Sequence, residues 1–139
     1  MSYRTKLTRS SFVIMALAAA AGLAACDSDD DDLVSPPVAT AIRADSARNN
    51  QTGTVGLALT DSIQVHVTTA SGAAVSGTTV TWTVATGGGT VTPATSVTNA
   101  TGDARASLKL GATAGTNTVT ASIPGGASTT ITATGAAAP

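Results

Sequence analysis

Few residues of this chain can do chemistry: one cysteine, Cys26; one histidine, His66; and eight aspartates without a single glutamate. Cys26 offers a nucleophilic thiol, His66 a base near neutral pH, and the aspartates carboxylates for acid–base work or for a hard cation. Their spacing sorts them. Asp27, Asp29, Asp30, Asp31 and Asp32 crowd directly after Cys26, whereas Asp45, Asp61 and Asp103 are scattered. Calcium loops need interspersed turns and carbonyl donors in a fixed geometry, which consecutive aspartates lack, so no metal site is expected. His66 falls on the polar side of an alternating run and reads as a solvated surface residue rather than a catalytic base. No Gly-x-Ser-x-Gly elbow prepares a serine. Gly87, Gly88 and Gly89 are not followed by the Lys and Ser/Thr of a phosphate-binding loop and read as a strand connection. A catalyst needs convergent acids, bases or nucleophiles, and none converge here. The chain is expected not to be an enzyme, to take no small-molecule substrate and to need no cofactor.

The surroundings of Cys26 give its thiol a different use. Arg4, Lys6 and Arg9 precede an apolar run over 12–25 that only Gly22 interrupts. Charged, then apolar, then small residues is the order of a secretory signal peptide, and the run is short of the roughly 20 residues of a transmembrane helix. An ordinary signal with an incidental cysteine is the competing reading, but an exported chain seldom keeps a lone free thiol without a reason. Leu23, Ala24, Ala25 and Cys26 resemble the bacterial lipobox. The resemblance implies cleavage before Cys26, a diacylglycerol on its thiol, and acylation of the new amino terminus; two or more acyl chains anchor far more firmly than one. Residues 1–25 are thus expected to be a lipoprotein signal peptide, and the chain to be exported and lipid-anchored to the bacterial cell envelope, with the membrane as a partner. Asp27 resembles the inner-membrane retention signal of some Gram-negative lipoproteins, while acidic residues here mark surface export elsewhere. Inner and outer membrane both stand.

Residues 26–37 continue from the lipidated Cys as an acidic run ending in Pro36 and Pro37, an extended, disordered tether because like charges repel and prolines stiffen. From Leu33 onward the balance is near neutral, four basic residues (Arg43, Arg48, Arg105, Lys109) against three acidic ones. No basic footprint for nucleic acid exists. Trp82 is the sole aromatic left once Tyr3 and Phe12 leave with the signal, so no stacking platform for bases or sugars can form.

Elements that could position these residues begin at Val38. Alternation over 62–68 sets Ile63, Val65 and Val67 against Gln64, His66 and Thr68; over 78–84 it sets Val80, Trp82 and Val84 against threonines. Over 103–110, Ala104, Ala106, Leu108 and Leu110 oppose Asp103, Arg105, Ser107 and Lys109. Runs at 116–123, with Asn117, Val119, Ala121 and Ile123 on one face, and at 128–135, with Ile131 and Ala133, continue the pattern. Period two with β-branched enrichment predicts strands with one buried face, and Gly/Asn/Pro turns separate them. A first strand is expected at 38–44, then a polar excursion and an apolar return through Val55, Leu57 and Leu59. The Thr-x-Thr runs raise the idea of arrays for ice or glycans. Without a constant period they read as ordinary wet faces.

The order Gly72-Ala73-Ala74-Val75-Ser76-Gly77, then Val-Thr-Trp-Thr-Val, then a glycine-rich turn, and the later stretch over 98–121, resemble a group 1 bacterial immunoglobulin-like domain, the kind found as stalk repeats in intimin- and invasin-type adhesins. The resemblance implies that 38–139 is an all-β, immunoglobulin-like β-sandwich of about seven to nine antiparallel strands. Trp82 is expected at the centre of the core, with Val65, Val67, Val80, Val84, Leu108, Leu110, Val119 and Ile123. In place of the usual cysteine pair stand Val65 or Val67 and Val119 or Ala121. The two chain ends would lie at opposite poles, the one away from the tether carrying 45–53, 85–89, 111–115 and Pro139, with Arg48 its one hot-spot residue type. The expected function is a non-catalytic, lipid-anchored envelope module with a structural or protein-interaction role, adhesion included, and an envelope or surface protein as partner. A ligand- or glycan-binding lipoprotein and an accessory subunit of an envelope assembly are the alternatives.

Overall fold

Alternating Thr and apolar residues in β4 (Thr79–Thr86) bury Val80 and Trp82 and leave Thr79, Thr81 and Thr83 exposed, and the same two-residue period shapes the whole domain. The computed structural model describes residues 35–139. Cys26, the motif before it and the acidic run after it lie outside the described residues. Within these the other strands are β1 (Ala41–Ala44), β2 (Gln51–Thr54), β3 (Ile63–Thr68), β5 (Thr90–Thr92), β6 (Thr95–Val97), β7 (Asp103–Lys109), β8 (Gly115–Ser122) and β9 (Ser128–Ala136), with a 3-10 turn at Ser46–Arg48. A four-stranded sheet of order β1-β3-β7-β5 faces a five-stranded sheet of order β2-β9-β8-β4-β6. The fold is an all-β sandwich.

The inward residues of both sheets make one core. β3 and β7 contribute Ile63, Val65, Val67, Ala106 and Leu108; β4, β8 and β9 contribute Val80, Val119, Ala121, Ile131 and Ala133. Val65 and Val67 on β3 and Val119 and Ala121 on β8 are all fully buried on inward faces. Trp82 is 4% exposed, yet the most deeply buried large side chains are Ile63, Leu108, Leu110 and Ile131. Its indole N–H donates to Ser96 Oγ at 2.8 Å, on the neighbouring edge strand β6. A buried indole needs an acceptor, and Ser96 supplies it. Trp82 is thus buried in the core, with its one polar atom satisfied at the β6 edge.

Departures from the sequence-based expectations have local causes. All strand pairs are antiparallel except β2 and β9, which run parallel with Gln51 opposite Ala133. The chain leaves β1 at the edge of one sheet and joins the edge of the other without reversing direction. Asp45 Oδ1 accepts from Ala47 N–H at 2.8 Å to cap the 3-10 turn, and Asn49 Oδ1 accepts from Thr132 N–H at 2.7 Å, so much of the predicted 45–53 excursion is a seam sewn to β9. Val55, Leu57 and Leu59 make no strand: Ala58 forms a single bridge to Lys109, Leu59 is buried, and Leu57 is 60% exposed. Two three-residue strands, β5 and β6, lie where only connection was expected. The first strand begins at Ala41, leaving Val38 exposed.

Pairing also fixes the poles. Ala41, at the start of β1, lies beside Thr68 at the end of β3, and the connection over 69–78, held there by Val75 N–H donating to Val67 O, carries the chain into β4. Gly135, near the end of β9, lies beside Gly115 at the start of β8, the end of the sheet at which β4 finishes. The two ends of the described domain thus occupy opposite poles.

Candidate interaction surface

β3 lies between β1 and β7, so its outward residues meet neighbours on both sides. The register sets Arg43 opposite His66 and His66 opposite Asp103, with Gln64 opposite Arg105 one row away. His66 Nδ1 is 3.0 Å from Asp103 Oδ1, and Thr101 Oγ1 donates to Asp103 Oδ2 at 2.7 Å. Arg105 Nε donates to Gln64 Oε1 at 2.7 Å. Asn99 Oδ1 accepts the backbone N–H groups of Thr101 and Asp103 at 3.0 and 2.9 Å, an Asx turn that sets the entry of β7. The hydrogen bonds from Thr101 and then His66 hold the Asp103 carboxyl below its ordinary value, against partial burial that pushes it up. An ionised carboxylate only accepts, so His66 presents a proton on Nδ1 to it.

A histidine oriented by an aspartate can activate a nucleophile if one lies within reach. Here the nearby hydroxyl, on Thr101, is bound to the carboxylate itself. Among the described residues no group of three His, Cys, Asp or Glu side chains could hold a metal ion, and no pocket opens. The cluster pins β3 to β7. Arg43, Arg105 and Lys109 on the same outward face stay exposed.

The predicted wet face of β3 needs correction. Gln64 is 7% and Thr68 8% exposed, and the His66 side chain, 37% exposed, is tied to Asp103 rather than simply solvated. Arg105 engages Gln64, and the turn after β3 folds back along it: Val75 N–H donates to Val67 O at 3.0 Å and Ala74 bridges Thr68. Ser107, on the flanking strand β7, is exposed.

Among the residues predicted for the core, Trp82, Val65, Val67, Val80, Leu108, Leu110, Val119 and Ile123 are buried, and Val84, beside the β-bulge of β4, is half-buried against them. Asn117, on the inward face of β8, is 1% exposed. Its Oδ1 accepts from Gly111 N–H at 3.1 Å and its Nδ2 donates to Gly115 O at 3.3 Å. A side chain at Gly87 would collide with Asn117, and one at Gly111 with the Gly87 carbonyl. The glycine-rich turn is thus a place of close backbone approach around a buried amide.

The outward face of the five-stranded sheet is chemically different. Thr83, Thr120 and Thr130 share one row across β4, β8 and β9, and Thr81, Ser122 and Ser128 share another. Thr118 and Thr132 form a third with Thr86, and Thr116 and Thr134 a fourth with Thr52 of β2. No charged side chain stands in these rows. Along the chain these threonines show no constant period. Strand register supplies the repeat instead.

Comparison with known proteins agrees with this architecture. The model of the bacterial Ig-like domain (group 1) family matches residues 56–135. Similar solved structures include the D0-D1 domain of intimin, at 18% identity and a TM-score of 0.53 over 71% of this chain and 49% of that one. The Yersinia pseudotuberculosis adhesin InvE is similar at 19% identity and 0.54 over 72% and 32%, and the Escherichia coli adhesin FdeC at 16% identity and 0.52 over 69% and 32%. The chain spans about half or less of each of these structures, and at such identities the likeness is one of fold. No curated protein matches it.

Proposed function

This chain belongs to the bacterial Ig-like domain (group 1) family, and on that premise we propose that it is a non-catalytic, lipid-anchored envelope module that binds a surface or envelope protein, in an adhesion-related or structural role. The observation that carries the interaction reading is the outward face of β1, β3 and β7. There Arg43, Arg105 and Lys109 are exposed around a tied His66–Asp103–Gln64 centre. Pre-ordered faces with exposed arginine suit protein contacts, where a few anchors dominate the energy. Without a pocket among the described residues, a small ligand has little surface in which to bury itself. The ends of the described domain, at opposite poles, also suit a module that spaces whatever is joined to either of them. The lipid anchor rests on Leu23, Ala24, Ala25 and Cys26.

Two measurements test this reading. Photo-crosslinking residues placed at Lys109 and at Thr120 of the full chain, expressed in its own envelope, should trap a discrete protein from Lys109 and not from Thr120. Equal products from both positions, or none from Lys109, would sink the interaction face. Metabolic labelling with a fatty acid should mark the wild type and leave Cys26→Ala unlabelled; equal incorporation would remove the anchor.

A further inference from the structure

The hydroxyl rows of β4, β8 and β9 form a second surface that the protein-binding reading leaves unused. We propose that this face binds neutral, hydroxyl-rich polysaccharide chains, as a surface for polymers and not for free sugars. The inference does not rest on the protein-binding reading, which concerns the other sheet.

Arg43, Arg105, Lys109 and Asp103 all lie on the four-stranded sheet, and the rows of the five-stranded sheet hold none. An anionic or cationic polymer finds no counter-charge there, whereas a neutral one meets no unpaired charge. Each threonine hydroxyl can both donate and accept, the same dual capacity a sugar hydroxyl has. These hydroxyls are also largely unspent. Among the described residues a single side-chain pair, Thr86 Oγ1 to Thr118 Oγ1 at 2.8 Å, bonds within the rows.

Geometry then selects a polymer. Same-face residues recur about 6.8 Å along a strand and about 4.8 Å across strands, so a chain lying over the face meets hydroxyls repeatedly. Exchanging one water contact for one threonine contact gains little, and Trp82 is turned inward with no ring to stack a sugar. A short oligosaccharide is therefore held poorly, while a long chain adds many weak contacts through high effective concentration. Twist separates this occupant from an ice lattice. Adjacent strands rotate by about 20–25°, and a rigid plane loses register within a few strands where a flexible polymer follows the surface.

Depletion isotherms of the full-length chain, purified in detergent, on microcrystalline cellulose and insoluble chitin test the proposal. The wild type should be retained on at least one of them in molar salt, and cellohexaose should not compete. Replacing Thr120 and Thr130 by Val removes two hydroxyls while keeping shape and strand propensity, and should cut retention at least about tenfold. Ser107→Val on the opposite sheet should leave it unchanged. If the double variant melts low, Ser122→Ala with Thr81→Val gives the same reading in another row. No retention of the wild type, elution by salt, or unchanged retention of the folded row variants would overturn the proposal. Inhibition of ice recrystallisation without retention on either polymer would overturn it too, assigning the face to ordered water.

Discussion

Two outward faces of one sandwich, both written in period two, end in opposite states. On the four-stranded sheet the polar side chains are long, and they find each other: His66 and Thr101 converge on Asp103, and Arg105 on Gln64. On the five-stranded sheet the side chains are short. Facing threonines there meet at Thr86 and Thr118, just past the β-bulge of β4. Reach decides the difference, because cross-strand neighbours sit about 5 Å apart at Cβ, a gap that Arg, Gln and His bridge readily and a hydroxyl bridges only where the backbone helps. One face is thereby closed and pre-ordered, and the other keeps its hydrogen-bonding capacity for an outside partner.

Both faces are backs of a single core, and the largest effects come from breaking that shared support. Val67→Asp places a carboxylate where the side chain is fully buried with no cation on the inward side. Burying an unpaired charge costs more than a marginally stable domain can lose, so no cooperative melt should remain at neutral pH by circular dichroism. A melt close to wild type would show that the two faces do not share one interior. Trp82→Ala is next, at about 3–5 kcal/mol in urea unfolding. It removes the one aromatic of the core and strands the Ser96 hydroxyl that accepts the indole N–H.

How far the faces were legible in the sequence follows from what alternation can carry. Period two sorts inward from outward residues along β3, β4 and β7, and so identifies Val65, Val80 and Leu108 as facing one way and Gln64, Thr81 and Ser107 the other. It does not say whether the outward side is wet. That depends on a strand's neighbours, and β3, flanked by β1 and β7 and overlain by its own turn, lost both Gln64 and Thr68 to burial. Strands of three residues, such as β5 and β6, are too short to show a period at all. Register is set between segments far apart, so His66 could not be matched to Asp103 nor Thr83 to Thr120 and Thr130. The parallel β2–β9 pair was hidden for the same reason, with Gly53 diluting its pattern.

The contrast between closed and open faces can be measured with one substitution made on each. Thr68→Asp on β3 forces a carboxylate into a covered position two residues from His66 and should cost about 2 kcal/mol. Thr120→Asp on β8 meets open surface and should stay within about 0.5 kcal/mol of wild type. Equal losses would erase the distinction. The tied centre itself is sharpened by pH. Asp103→Asn should cost about 1 kcal/mol near neutrality, since it weakens the contacts with Thr101 and His66. The Asp103 carboxyl titrates below its ordinary value of 3.8 when folded. Its contribution is therefore present above that value and lost as the pH falls through the lower folded one. The stability gap between wild type and Asp103→Asn should accordingly shrink on acidification below about pH 4. A gap that widened there would assign the stabilisation to some other group.

The smallest effect concerns the one hydrogen bond within the hydroxyl rows. Thr118→Val removes a partner of Thr86 Oγ1 but keeps the branched shape, and the surviving hydroxyl lies on an exposed surface where water replaces what was lost. A bond whose partners can both return to solvent contributes little net stability, and valine is at least as well suited to a strand as threonine. The variant should unfold within about 0.5 kcal/mol of wild type. A loss above about 1 kcal/mol would mean the rows are coupled to one another, as the polar groups of β3 and β7 are. The five-stranded face would then be a second closed network instead of a surface with its hydroxyls free to bind.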